Sequence, residues 1–326
     1  MKPKQLPVFK KRCKGKRKLT IYLYHICFYK LVYCIFTFRM LRTHILFALA
    51  GIFYCISCTT QELPTTNLPK PDHIVVLIFE NHDYQMIIDT SAAEYLHTLI
   101  SDPKTAHFTE STALVHPSQP NYILLFSGDN QNVVSNDRPT TKFTTPNLAA
   151  QLVDAGLSFI TYSEDLPYPG FDGDVSGRYV RRHNPVTNWM GTGNNQVDSM
   201  VNQPLTAFPT DFNLLPTISF VVPNLDNDMH DGSIAQGDAW LKTHFEAYIN
   251  WAKENNSLCI ITFDEGNPSS DVNQILTLFI GENVIGGKYN TPINHFSVLS
   301  TLQEMYDLPH SGFSKMYYPI MDCWEK

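Results

Sequence analysis

Past residue 58 the 326-residue chain has only two cysteines, Cys259 and Cys323, although five lie at or before Cys58. Two thiols make no disulfide framework, and Cys259, set inside an apolar run, reads as a buried free thiol. Acidic residues are missing from the first 61 positions: all 31 lie at or after Glu62, while 12 of the 24 Lys+Arg lie at or before Arg42. Beyond Arg42, 12 basic residues therefore face 31 acidic ones, a net of −19. Such a body repels nucleic-acid phosphates from most of its surface, which argues against DNA or RNA as a partner. A phosphate substrate is not excluded, because a local metal ion overrides the global sign. Internal repeats are absent, so a repeat architecture is excluded. The apolar run ILFALAGIFYCI near the N-terminus is too short for a comfortable membrane span.

The composition, 43% apolar and 12% aromatic, is ample for a large core. Residues 1–39 are basic and aromatic and read as a non-physiological extension, with Met40 as the true start. Arg42, the apolar run and Ser57-Cys58 then resemble a bacterial lipoprotein signal over 40–58, in which Cys58 becomes the lipidated first residue. Cys55 stands where an aliphatic residue is preferred; a plain secretory signal or a retained anchor is the alternative. Residues 59–71, TTQELPTTNLPKP, form a Thr/Pro-rich tether. The expectation is an exported, membrane-anchored lipoprotein of the periplasm or cell surface, with one catalytic domain over 72–326.

From Asp72 onward strands alternate with helical segments. Strands are predicted near 73–80, 111–115, 157–163, 217–223, 257–263 and 274–280, mostly continuous in apolar character, as parallel strands buried on both faces should be. Helices are predicted near 92–100, 118–126, 146–155, 234–254 and 295–306, with Asp238 and Lys242 an exposed i,i+4 pair on the fourth. Residues 164–216, rich in Gly, Pro and Asn, read as an excursion that shapes a substrate pocket. The fold class is α/β: a mostly parallel central sheet with helices on both faces.

Five of these runs end in carboxylates, histidines or a hydroxyl, and strand ends of an open α/β sheet face one crevice. Glu80-Asn81 and Asp264-Glu265 each close an aliphatic strand with hard oxygen donors, which suits a cation; a solvated strand end is the bland alternative. Ser118 opens a helix, where backbone N–H groups stabilise an alkoxide or a phosphoryl group, although Ser is also a common N-cap. Asp226 and His230 have a D-x-x-x-H spacing, with Asp228 or Asp231 as substitutes, in a loop that could equally cap the next helix. His295 opens the last helix, where a structural role is the ordinary one.

The segments FENH at 79–82, HPSQPNY at 116–122, RRHNP at 181–185, PNLxxDMHDGS at 223–233, TFDEG at 262–266 and NHFSVLSTLQEMYDL at 294–308 occur in order. Together they resemble the bacterial phosphoesterase family, which groups acid phosphatases, phosphatidylinositol phosphatases and phospholipase C-type enzymes within the alkaline phosphatase superfamily. The resemblance implies an alkaline phosphatase-like fold and hydrolysis of phosphate monoesters through a phosphoserine on Ser118. It implies a divalent metal (Mg, Mn, Ca, Zn or Fe), held by Glu80, Asn81, Ser118, Asp264 and Glu265, with His295, Asp231 and Asp226 as further candidate ligands. His230 or His116 would protonate the leaving group, and Asn121, His183 and Arg182 would bind the substrate phosphoryl group. The family admits one metal or two. Ser118-Gln119-Pro120-Asn121 lacks the C/S-x-P-S-R context of sulfatases, which argues against sulfate esters.

The substrate is expected to be a small phosphate ester or a phospholipid head group. A phosphodiesterase or phospholipase C is the nearer rival and needs room for a second ester substituent in 164–216. A non-catalytic surface-binding lipoprotein is the farther one, and loss of Ser118 or of a carboxylate pair would be its mark. The sequence keeps all of them.

Overall fold

A computed structural model describes residues 68–269 and 272–325. The expected extension 1–39, the signal segment 40–58 and the tether up to residue 67 lie outside the described residues. In chain order the strands are β1 His73–Phe79, β2 Thr105–Phe108, β3 Ser111–Thr112, β4 Phe159–Ser163, β5 Val175–Ser176, β6 Tyr179–Val180, β7 Asn202–Pro204, β8 Ile218–Val222, β9 Ser257–Phe263, β10 Thr277–Gly281, β11 Gly287–Tyr289 and β12 Ile293–Asn294. The helices are α1 Tyr84–Ile88, α2 Glu94–Ile100, α3 Ser118–Ser127, α4 Leu148–Asp154, α5 Ile234–Ala252 and α6 His295–Met305.

Eight strands form one sheet in the order β11-β2-β10-β9-β1-β8-β4-β7. β1 pairs in parallel with both β8 and β9 and alternates its side chains between two cores. Ile74, Val76 and Ile78 enter the core beneath α3, α4 and α6, while Val75, Leu77 and Phe79 enter the one beneath α1, α2 and α5. Both faces are thus covered, which explains the unbroken apolar run of β1; each such side chain contributes roughly 1.5–3 kcal/mol by burial.

Three expectations change. β10 runs antiparallel to both β2 and β9, not parallel. A strand buried on both faces is apolar throughout whichever way it points, so its direction leaves no trace in the pattern. The second sheet strand is 105–108 rather than 111–115; Ser111–Thr112 makes only a two-stranded ladder with β12, and the chain beyond it runs to the helix that opens at Ser118. Asp238 is buried, not paired outside with Lys242: its two oxygens accept the backbone N–H groups of Tyr95 and Leu96 at 2.8 Å each, capping α2 from across the helix pair. The segment 164–216 does leave the sheet, through the β5–β6 ladder and several 3-10 turns, and then returns β7 to the sheet edge beside β4. Cys259 and Cys323 are free and buried. Among the described residues no helix is long and apolar enough to cross a membrane.

Candidate active site

Phe79 and Phe263 stand opposite each other at the ends of β1 and β9, so Glu80 and Asp264 leave the sheet side by side. The Asp264 N–H donates to the Phe79 carbonyl at 2.9 Å, and the Glu80 N–H donates to the Asp228 carbonyl at 2.9 Å. Three acidic residues from distant parts of the chain are thereby tied together through the backbone. Asn81 follows with φ 52°, in the left-handed region that Asn tolerates better than most residues. α3 is buried along its whole length and begins at Ser118.

The Ser118 Oγ lies 3.0 Å from Glu80 Oε2, 3.1 Å from Glu265 Oε1 and 3.4 Å from Asn81 Oδ1. A hydroxyl has one proton and can satisfy only one of these acceptors at a time. Asp264 accepts the Asn81 N–H through Oδ1 at 3.2 Å, while its Oδ2 is buried without a partner. Burial, above all, holds the carboxyls of Glu80, Asp228, Asp264 and Glu265 above the usual range; Asp228 adds to this for Glu80, and Glu80 and Glu265 add to it for Asp264. Such a cluster needs protons or a cation to offset its charge, and carboxylate, amide and hydroxyl oxygens are the donor set of a hard divalent ion. The residues present fit one.

Histidines border this oxygen cluster. His183, from a 3-10 turn, has Nδ1 3.2 Å from Asp228 Oδ2 and 3.3 Å from Glu80 Oε1, while its Nε2 is buried without a partner. Burial, then Arg182 and His230, hold it well below the usual imidazole range, so it is neutral and offers Nε2 as a lone pair. His230 donates its backbone N–H to Asp228 Oδ1 at 2.7 Å, and its Nδ1 lies 2.7 Å from Asp231 Oδ1. Ligand atoms of Glu80, His183 and His230 lie within 4.8 Å of one another, a second arrangement that could hold a cation. His116 places Nδ1 2.6 Å from Glu265 Oε2, with 32% of its side chain exposed. Tyr122 donates its hydroxyl to Glu80 Oε1 and stacks on the His183 ring at 5.3 Å and 7°.

Some expected residues are placed elsewhere. Asp226 and Asp231 both accept from Arg178, at 2.7 and 2.5 Å, on the exposed side of their loop; Asp228 is the acid that turns inward. Asn121 accepts the Leu114 and Val115 N–H groups at 3.2 Å each and donates to the Val115 carbonyl at 2.7 Å, so its amide holds the loop before Ser118 instead of a phosphoryl oxygen. His295 donates Nε2–H to the Asp264 carbonyl at 2.7 Å; burial lowers its pKa to about 4, and it braces the end of β9. Arg182 lines a groove of about 210 Å³ beside Gln119, Arg138 and Arg181, with its Nε buried and unpartnered. Tyr122 escaped sequence reasoning, although its spacing of four from Ser118 puts both on one face of α3.

A mostly parallel sheet gathers carboxylates around a serine at a helix N-terminus, an arrangement suited to the hydrolysis of phosphoric esters. The model of the phosphoesterase family matches residues 105–309. The chain is 43% identical over 264 residues to a phosphatidylinositol-3-phosphatase of Mycobacterium tuberculosis, covering 80% of this chain and 86% of that protein. It is 30% identical over 248 residues to an acid phosphatase of Aspergillus fumigatus, covering 72% of this chain and 54% of that one. A solved structure of an alkaline phosphatase superfamily protein from Vibrio parahaemolyticus shares the fold, with a TM-score of 0.52 and 15% identity over 74% of this chain and 68% of that one. The chain belongs to the phosphoesterase family and is a phosphoric ester hydrolase with an alkaline phosphatase-like fold.

Proposed function

We propose that the chain hydrolyses phosphate monoesters through a phosphoserine on Ser118, with a divalent cation held by Glu80, Asn81, Asp264, Glu265 and the serine itself. The observation that carries this reading is one hydroxyl set against three acceptor oxygens within 3.0–3.4 Å, beside a buried carboxylate oxygen that has no partner. When bound, the cation supplies charge neutralisation and lowers the pKa of the serine hydroxyl.

Glu265, 3.1 Å away, takes the Ser118 proton as Oγ attacks phosphorus and the ester P–O bond breaks. His116, held by the other oxygen of Glu265, gives its proton to the leaving alcohol oxygen and then draws one from the water that attacks phosphorus, while Glu265 returns its proton to Oγ as the bond from Oγ to phosphorus breaks; His230 is the alternative donor. The α3 N-terminus stabilises the equatorial oxygens. Ser118→Ala tests the reading: turnover of p-nitrophenyl phosphate is expected to fall by about a thousandfold or more, with the fold kept and the metal still bound by the four remaining ligands. Retained turnover would remove Ser118 from the chemistry.

A phospholipid head group as substrate is favoured by the relative named as a phosphatidylinositol-3-phosphatase, which covers most of the chain. Anchoring through Cys58 would hold the site near such a surface. Phosphate release from phosphatidylinositol 3-phosphate vesicles, compared with release from soluble monoesters and from bis(p-nitrophenyl) phosphate, separates lipid, soluble and diester substrates.

A further inference from the structure

We infer that Tyr122 is a positioning residue that divides the two oxygens of Glu80 between the serine and the histidines. Tyr122 stands one turn after Ser118 on α3 and is 1% exposed. A phenol this deeply buried needs a hydrogen-bond partner, and Glu80 Oε1 is the one it has. The same Oε1 lies 3.3 Å from His183 Nδ1, and the other oxygen, Oε2, is left 3.0 Å from Ser118. The carboxylate is therefore oriented by two donors on one side and free for the serine on the other. His183 cannot hold it alone, because its Nδ1–H is shared with Asp228 at 3.2 Å. The ring of Tyr122 does a second job: parallel stacking sets the plane of His183, whose Nε2 is one of two buried unpartnered atoms of the cluster, with Asp264 Oδ2. One side chain thus aligns a carboxylate with its hydroxyl and an imidazole with its face.

This inference rests on the reading of Glu80 as a cation ligand, and residues behind a ligand commonly change metal affinity 10–100-fold when removed. The test is calorimetric titration of the full chain with Mn²⁺, together with thermal unfolding of the metal-free protein, for Tyr122→Phe, Tyr122→Leu and Glu80→Gln. Tyr122→Phe, which keeps the ring, is expected to raise the Mn²⁺ Kd about tenfold while the metal-free protein unfolds within a few degrees of the parent. Tyr122→Leu, which also loses the stack, is expected to weaken binding further. A merely structural tyrosine would lower the unfolding temperature and leave Kd unmoved, so parental Mn²⁺ affinity in Tyr122→Phe, with binding lost in Glu80→Gln, overturns the inference. Parental affinity in Glu80→Gln overturns instead the assignment of Glu80 as ligand, and the role of Tyr122 with it.

Discussion

Glu265 holds His116 through a 2.6 Å contact between Oε2 and Nδ1, and the two residues differ sharply in exposure: 2% of the Glu265 side chain is accessible against 32% of His116. The buried partner orients the accessible one, leaving Nε2 of the imidazole for the open side of the site, where a leaving alcohol would depart.

That geometry makes His116→Asn selective in its effect. Transfer of the phosphoryl group to Ser118 from alkyl phosphates, whose alkoxide leaves only with a proton, is expected to slow by about 10²–10³ in single-turnover measurements. Transfer from p-nitrophenyl phosphate, whose leaving group needs no proton, is expected to slow far less. A series of esters with graded leaving-group pKa checks this, and equal losses across the series would reassign the acid.

Chelation should expose the charge held in the cluster. Glu80, Asp228, Asp264 and Glu265 have carboxyls raised by burial, so between the ordinary carboxyl range and their own values the folded state binds more protons than the unfolded one. Stability of the metal-free protein is then full at low pH and declines as pH rises, by about 1.4 kcal/mol per pH unit for each group still titrating. EDTA-treated protein is expected to unfold at lower temperature at pH 7 than at pH 5, and Mn²⁺ should restore it at pH 7. Unfolding temperatures that ignore pH and Mn²⁺ alike would speak against a buried ionic cluster.

Asn121→Ala separates a structural amide from a substrate ligand. The substitution leaves the half-buried Leu114 and Val115 N–H groups without their acceptor, a loss of about 1–2 kcal/mol in stability by denaturant titration. KM for a phosphate ester is expected to stay within a factor of about two. A large rise in KM without loss of stability would return Asn121 to the phosphoryl group.

The sequence made the strand-end carboxylates legible because Glu80 and Asp264 each stop a run of aliphatics, a pattern that buried strands rarely carry without a partner for the charge. Ser118 was legible from its place before an apolar helix. The direction of β10 was not, for a doubly covered strand presents the same residues either way. Nor was the choice among Asp226, Asp228 and Asp231: spacing cannot tell which acid of a tight loop turns inward, and here Arg178 draws two of them outward. Tyr122 hid in a helix that is buried on every side, where an aromatic residue reads as core.

Enclosure of α3 has a further effect on how this enzyme can diversify. The serine rides on an element with no free flank, pressed between the sheet, α6 and the 3-10 turns that carry His183. Its position cannot adapt to different alcohols, so selectivity must be written in the rim, where the exposed parts of the segments between α3 and α4 and between β4 and β8, outside the buried turn that carries His183, can vary while the reacting centre stays still.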